Sequence, residues 1–337
     1  ARWLNRRVNL MAGLPERAGP EALAAMRQRG AALVARAAAL EQPRAPKPRA
    51  SRPAPRPPLD KRPRQLSVTA IRTLIRDPYA IYARHVLALT PLDPLRAEPD
   101  ARLRGSVVHR VLEAFVRERP EGEGRATARA RWIATARAVL ADRVPGPAAR
   151  ALWVARLEGA ADFLLDIEAE NSGITVLLEE SGRMRLAGNG FALTARPDRI
   201  DRLADGRLHI LDYKTGTPPT AKQIRRFDKQ LLLEAAIARA GGFPIGAAPV
   251  ARATYVGLGS TPKAQTVETD DAALDAVLDE LTRLIDRYGM RAQGYSARRA
   301  VEKASETGDY DHLARFGEWS QADTPDPVDV GPAEGAG

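Results

Sequence analysis

The chain has 337 residues, 44% hydrophobic and 28% charged, with no cysteine and a formal net charge of +10. That length and apolar share can bury one substantial core and a smaller helical satellite, while the lack of cysteine excludes disulfides, thiolate-held zinc and iron–sulfur clusters. No apolar run approaches the ~18 residues a spanning helix needs, and no basic-then-apolar leader opens the chain, so no membrane role and a cytoplasmic location are expected.

Positive charge is concentrated at the start: residues 1–64 hold 15 Lys or Arg against 4 Asp or Glu, a balance of +11 that leaves −1 for the rest. Within that region Glu21 to Leu40 is alanine-rich and helix-prone, and is expected to pack against something outside this chain. From Pro43 to Pro63, eight of 21 residues are proline and seven are basic, which reads as an extended linker. It could track phosphate, but no aromatic is interleaved for base stacking, so a solubilised spacer is the preferred reading.

Ser67-Val68-Thr69 begins a helix toward Ile81, with Ile71, Leu74 and Ile75 on one face and Ser67 or Thr69 as its cap. Pro91, Pro94 and Pro99 interrupt the chain. Val108, Val111, Leu112 and Phe115 then follow the i, i+3, i+4, i+7 spacing of a buried helical stripe, with His109 at its edge and Glu113 one turn on. A helical region from Thr127 to Glu170, broken at Pro145 and Pro147, supplies Trp132, Trp153 and Phe163 as core anchors. Strands are expected at Ile174–Leu178, Arg183–Leu186 and Phe191–Leu203, then through Leu211, followed by a helix over 221–240, a strand at 251–258 and a helix from Asp270 to Tyr288. GLGSTPK at 257–263 lacks the spacing of a phosphate loop and is assigned to a loop. Beyond Tyr310 the acidic tail, containing proline and glycine, reads as disordered.

Chemistry concentrates in PDRIDRLADGRLHILDYK, Pro197 to Lys214. Asp212 and Lys214 stand two apart on a strand and share a face. Ala-Asp-Gly-Arg at 204–207 is a strong turn signal, and folding back there brings Asp198 level with Asp212 to within about a residue. Two close carboxylates repel unless a cation joins them, and oxygen ligands favour magnesium or manganese. Such a cation with a neighbouring lysine suits phosphodiester hydrolysis. An isolated D-x-K would more often be a solvated surface, and His109 alone a partly buried histidine with a satisfied hydrogen bond. Against the surface reading, the strand is otherwise apolar at Leu208, Ile210 and Leu211, and lysine stands at 214 in a chain that uses arginine for 45 of its 52 basic residues. Lysine can lose a proton near neutral pH and arginine cannot.

Pro197-Asp198 with Asp212-Tyr213-Lys214 resembles the signature of the PD-(D/E)XK nuclease superfamily, and specifically its RecB-like branch. GSVVH at Gly105 to His109 and Gln230-Leu231 resemble that branch's upstream histidine and downstream glutamine elements, in the same order, over about Gly105 to Ala240. The resemblance implies an α/β fold with a central mixed sheet flanked by helices and extra N-terminal helices. It implies a magnesium-dependent nuclease, with manganese able to substitute. Asp198 and Asp212 would bind metal, His109 and the Tyr213 carbonyl would complete its shell, Lys214 would activate or position water, and Gln230 would contact nucleic acid.

LSVTAIRTLIRDPYAIYARHVLAL, the preceding RPAPRPPLDKRPR and the closing GDYDHLARFGEWS resemble the C-terminal region of the AddB family. That resemblance implies a single DNA strand as substrate, an AddA-like helicase-nuclease as partner and a role in recombinational repair of double-strand ends. Starting at Ala1 without methionine, the chain reads as a fragment of a longer polypeptide, with a helicase-like region upstream. Many such domains carry a four-cysteine iron–sulfur staple beginning just before a proline of the opening helix. Here Asp77 precedes Pro78, so packing must hold that end. The family's glutamine element usually continues to a tyrosine where this chain has Glu234, which puts the handling of DNA in question. The expected organisation is a helical segment over 1–42, a linker over 43–65, a nuclease domain over 66–315 and a disordered tail over 316–337. The alternative is a non-catalytic DNA-holding or helicase-docking module with a degenerate site. A stand-alone restriction-type endonuclease is disfavoured, since no recognition element or dimer surface is legible.

Overall fold

The first helices follow from their punctuation. Pro15 and Pro20 occupy opening positions, where a missing N–H leaves no bond unmade, and give α1 (Arg2–Ala12), α2 (Leu14–Ala18) and α3 (Pro20–Glu41). None of their described residues is buried, and Trp3, Leu4, Val8, Leu10, Leu33 and Val34 stay exposed. The computed structural model describes residues 2–42, 49–91, 100–171, 173–301 and 306–331, and the chain divides into two units, Ala1–Ala50 and Ser51–Gly337.

The second unit opens with β1 (Pro53–Arg56) and β2 (Gln65–Ser67), then α4 (Val68–Arg76), capped by the Ser67 hydroxyl, and α5 (Pro78–Ile81). Helices α6 (Ala101–Arg117), α7 (Arg125–Arg143), α8 (Pro147–Gly159) and α9 (Ala161–Glu170) follow. Next come β3 (Ile174–Leu178), β4 (Gly182–Arg185), β5 (Ala192–Ala195), β6 (Arg199–Arg202) and β7 (Leu208–Lys214). The remainder is α10 (Ala221–Arg226), α11 (Gln230–Arg239), β8 (Val250–Gly257), β9 (Lys263–Val267), α12 (Asp271–Tyr288) and β10 (Asp326–Asp329). No described helix is long and apolar enough to cross a membrane.

The main sheet has the order β3-β6-β7-β8-β9, antiparallel except where β7 runs parallel to β8. Side chains alternate across it. Leu211 and Tyr213 of β7 and Val256 of β8 join a core with Val108, Val111, Leu112, Phe115, Trp132, Trp153 and Leu164 of α6 to α9. On the other face α11 lies over β7 and β8, with α4 and α12 against α11. A smaller sheet, β2-β5-β4, adjoins this helical layer through α4 and α11. The fold class is therefore the helix-flanked mixed sheet that the family resemblance implies.

Several expectations change. The helix from Ser67 breaks at Asp77, because Pro78 cannot continue it. The long strand Phe191–Leu203 is two strands, β5 and β6 in different sheets, separated by Arg196, Pro197 and Asp198. The helix over 221–240 is likewise two, and β9 had no prominent signal. Pro94 and Pro99 lie outside the described residues.

The proline-rich segment departs most from its reading as a tether, and 43–48 lie outside the described residues. From Ser51 the chain is built into the second unit. Proline contributes an acceptor but no donor, and β1 is used in that way. The carbonyls of Pro53 and Pro55 accept from Ala297 and Tyr295, and those of Arg52 and Arg56 from Asp326 and Val330, as β1 pairs parallel with β10. Arg52, 8% exposed, donates to the carbonyls of Ala297, Arg298, Gln321 and Asp323, and Arg62, 6% exposed, to those of Pro57, Tyr288, Met290 and Arg291. The tail is ordered for the same reason: Trp319 is buried and β10 is paired, while 332–337 lie outside the described residues.

Polar contacts close the end where Asp77 precedes Pro78. Asp77 accepts from the Arg298 N–H at 2.9 Å, and the Arg298 guanidinium grips both oxygens of Asp311 at 3.0 and 2.8 Å. Burial pushes the Asp77 carboxyl up despite these donors. Tyr79, Tyr82, Tyr295 and Tyr288 pack as a chain of tilted rings beside it, with ring centroids 5.7, 6.3 and 4.9 Å apart.

Candidate active site

The hairpin of β6 and β7 pairs Arg199 with Leu211 and Arg202 with Leu208, turning where Gly206 takes φ +83°. One further step in that register sets Asp198 opposite Asp212. Pro197 ends pairing with the smaller sheet and frees Asp198 to turn back: its Oδ2 accepts from the Tyr213 N–H at 2.7 Å, and its Oδ1 faces His109 Nδ1 at 3.0 Å. His109 reaches this point from α6, beside the stripe that buries Val108 and Val111.

Asp212 is 2% exposed and held by two neighbours. Lys214 Nζ lies 2.8 Å from its Oδ2, and Gln230 Nε2, at the start of α11, donates to Oδ1 at 2.6 Å. The Gln230 carbonyl accepts from Lys214 Nζ at 3.1 Å, while the same Nε2 also reaches Glu234 Oε1 at 3.1 Å. Glu234 is fully buried, and its second oxygen has no partner among the described residues.

Charge follows from this packing. Burial raises the Asp212 carboxyl to about 6, against the pull of the Lys214 ammonium and with the push of Asp198. Burial alone would lower Lys214, but Asp212 outweighs it and holds the amine charged above its ordinary range. Lys214 is thus held as a charged donor beside Asp212. Burial likewise works against a charged His109, but hydrogen bonds to Asp198 and Glu179 and the field of the nearby acids raise it to about 10. Glu234, buried close to Asp212, is driven well up.

The structure gathers His109 with Asp198, and Asp212 with Lys214 and Gln230, and the Tyr213 N–H ties the two halves together. The Tyr213 side chain points to the opposite face, buried, with its hydroxyl 3.4 Å from Arg199 Nη1. Glu113 sits apart, paired with Arg110 and Arg117 on the helix surface. Glu179 escapes the sequence reading: it follows β3, its Oε1 lies 3.6 Å from His109 Nδ1, and nothing in the doublet Glu179-Glu180 marks it out. Also unforeseen is the support behind the hairpin, where Arg199, 1% exposed, bonds Glu168 at 2.5 Å and Asp201 at 2.7 Å.

One ligand atom each from His109, Glu179 and Asp198 lies within 4.8 Å of the other two. The two carboxylate oxygens suit magnesium or manganese, and the imidazole nitrogen adds affinity for transition ions, manganese among them. Lys214 and Gln230 also line a cleft of about 400 Å³ with Thr69, Arg72, Thr73 and Arg76 of α4.

A family model described as the PD-(D/E)XK nuclease superfamily matches residues 65–305. The chain is 31% identical over 191 residues to an uncharacterized protein of Rickettsia felis, covering 54% of this chain and 22% of that one. It is 28% identical over 158 residues to a Streptococcus equi subsp. zooepidemicus protein named as a subunit of an ATP-dependent helicase/deoxyribonuclease, covering 45% of this chain and 14% of that one. The chain thus spans between a seventh and a quarter of the length of these relatives. A solved Eubacterium rectale protein, provisionally named an exonuclease, is 12% identical with a TM-score of 0.39, covering 76% of this chain and 94% of that one.

Proposed function

We propose that this chain, which belongs to the PD-(D/E)XK nuclease superfamily, is a magnesium-dependent deoxyribonuclease acting on one strand of DNA. It would serve in a cytoplasmic AddB-like protein with an AddA-like helicase-nuclease partner, at double-strand ends undergoing recombinational repair. The observation that carries the reading is the meeting of Asp198, Asp212 and Lys214 at one end of the β6–β7 hairpin, with His109 alongside. The name of the streptococcal relative supports the choice of assembly.

His109, Asp198, Asp212 and the Tyr213 carbonyl would hold the cation, magnesium or in its place manganese. Once bound, it supplies Lewis acidity toward a phosphoryl oxygen and eases deprotonation of water. The protein does the rest. Lys214 donates toward the charge that develops on phosphorus oxygens, and Gln230 fixes Lys214 and Asp212 against each other. Arg72 and Arg76, paired with Asp228 at 3.3 Å and Glu306 at 2.6 Å, line the cleft, along which the strand would lie beside α4. The Tyr213 N–H keeps Asp198 turned toward His109.

Asp212→Ala and Lys214→Ala are expected to abolish magnesium-dependent cutting of single-stranded DNA. Undiminished cutting by both would reject the assignment. One observation favours a non-catalytic module instead: Glu234 stands where the family's tyrosine is expected, buried beside Asp212. A site that binds manganese and the strand without cutting it would decide for that reading.

A further inference from the structure

Two carboxylates converge on one nitrogen. Asp198 Oδ1 lies 3.0 Å and Glu179 Oε1 3.6 Å from His109 Nδ1. A nitrogen carries one proton, which can point well at only one acceptor, so the second carboxylate is left with a poor bond. A neutral imidazole would serve them worse, since its lone pair would face both oxygens. Three groups around one point, two anionic and one with a lone pair, call for a positive centre that has several open directions. Adjacent ligands of an octahedral cation stand about 3 Å apart, and the two carboxylate oxygens lie 3.0 and 3.6 Å from the imidazole nitrogen.

The backbone holds Glu179 in this position. Its φ is +51°, in the region that favours glycine, and its N–H donates to the Asp198 carbonyl at 3.2 Å. Arg196 Nε bonds the Glu179 carbonyl at 2.6 Å and lies 3.2 Å from Oε2, which leaves Oε1 turned to His109. The Glu179 side chain is 19% exposed, so it is walled in without being cut off from solvent ions.

We propose that Glu179 is a direct ligand of the divalent cation, making the protein's donor set His109, Glu179 and Asp198 on one side with Asp212 and the Tyr213 carbonyl on the other. This inference rests on the metal-dependent reading above. A shell with three carboxylates makes cation binding more anionic in character than His109 and the hairpin acids alone would give.

The test is calorimetric titration of the purified chain with Mn²⁺ alone, without nucleic acid. Asp198→Ala is expected to lose binding and Glu179→Gln to weaken it at least tenfold. Loss of a residue that merely orients His109 could weaken binding too, so a thiol is the discriminating probe. Glu179→Cys should bind Cd²⁺ more tightly than Glu179→Gln does while remaining weak for Mn²⁺, because a thiolate ligand prefers the softer ion. Glu179→Gly, which relieves the positive φ, should lose Mn²⁺ affinity without a fall in melting temperature. Wild-type Mn²⁺ affinity in Glu179→Gln, or no cadmium preference in Glu179→Cys, would overturn the assignment while Asp198→Ala still upholds the site. If wild type binds no Mn²⁺ at all, the metal-dependent reading fails and this inference with it.

Discussion

Acidification should destabilise this protein through His209. Its ring is 3% exposed on the back of β7, bonded to Thr254 at 3.0 Å and to Asn171 at 3.3 Å, with Asp201 and Arg199 of β6 and Arg252 of β8 nearby. Burial lowers its pKa to about 4, Arg252 and Arg199 add to the fall, and Asp201 opposes it. An unfolded histidine titrates near 6.5, so between that pH and 4 the unfolded chain takes up a proton that the fold refuses. Unfolding therefore gains ground as pH falls through this window, and the loss levels off below it. At 1.36 kcal/mol per unit, the cost is roughly 2 kcal/mol by pH 5 and roughly 3 kcal/mol by pH 4. Urea unfolding followed by circular dichroism at pH 7.5 and pH 5 would measure it in wild type and in His209→Gln, whose amide can still bond Thr254. Other titrations are common to both proteins, so the difference between them isolates the imidazole. Parallel losses in the two proteins would refute the reasoning.

Arg199→Met leaves Asp201 buried without a counterion and Glu168 with only the half-exposed Arg119, and should cost about 3–5 kcal/mol in urea unfolding, most of it recovered when Glu168→Gln and Asp201→Asn are added. Lys214→Gln should slow strand cutting by roughly 10²–10³, the size of losing one charge-stabilising donor, while calorimetry with Mn²⁺ stays close to wild type. Gly182→Ala drives a methyl into the Phe243 ring and should destabilise by about 1–3 kcal/mol, read as a lowered urea midpoint.

The hairpin was readable because a strong turn and an apolar strand fix register locally, and the pairing of Arg199 with Leu211 sets the two acids level. The stripe on α6 was readable for a similar reason, since Val108, Val111, Leu112 and Phe115 report their own periodicity. Features that depend on distant partners were not. Proline and arginine in 51–64 look like a spacer until the donors of residues 295–297 and 326–330 arrive to meet their carbonyls. Glu179 lies 70 residues from His109 and 19 from Asp198 in the sequence, and only the path of β3 beside β6 brings it to them. The break at Arg196 to Asp198 did carry a signal in Pro197, which cannot donate to a ladder, but the alternation on either side of it does not report that the strand changes sheets there.

β1 and Arg52 have consequences for how the chain is made. Arg52 waits for carbonyls 245 and 269 residues further on, and β1 for a partner at the far end of the same unit. During synthesis the opening strand must therefore remain without those partners until nearly the whole unit has left the ribosome, a late closure across a very long loop. A stop codon near residue 320 removes β10 and the carbonyls of Gln321 and Asp323, leaving β1 and Arg52 with only their bonds to residues 295–298. Once shut, this closure is made of backbone pairing and guanidinium forks, which are redox-inert and give a chelator nothing to strip.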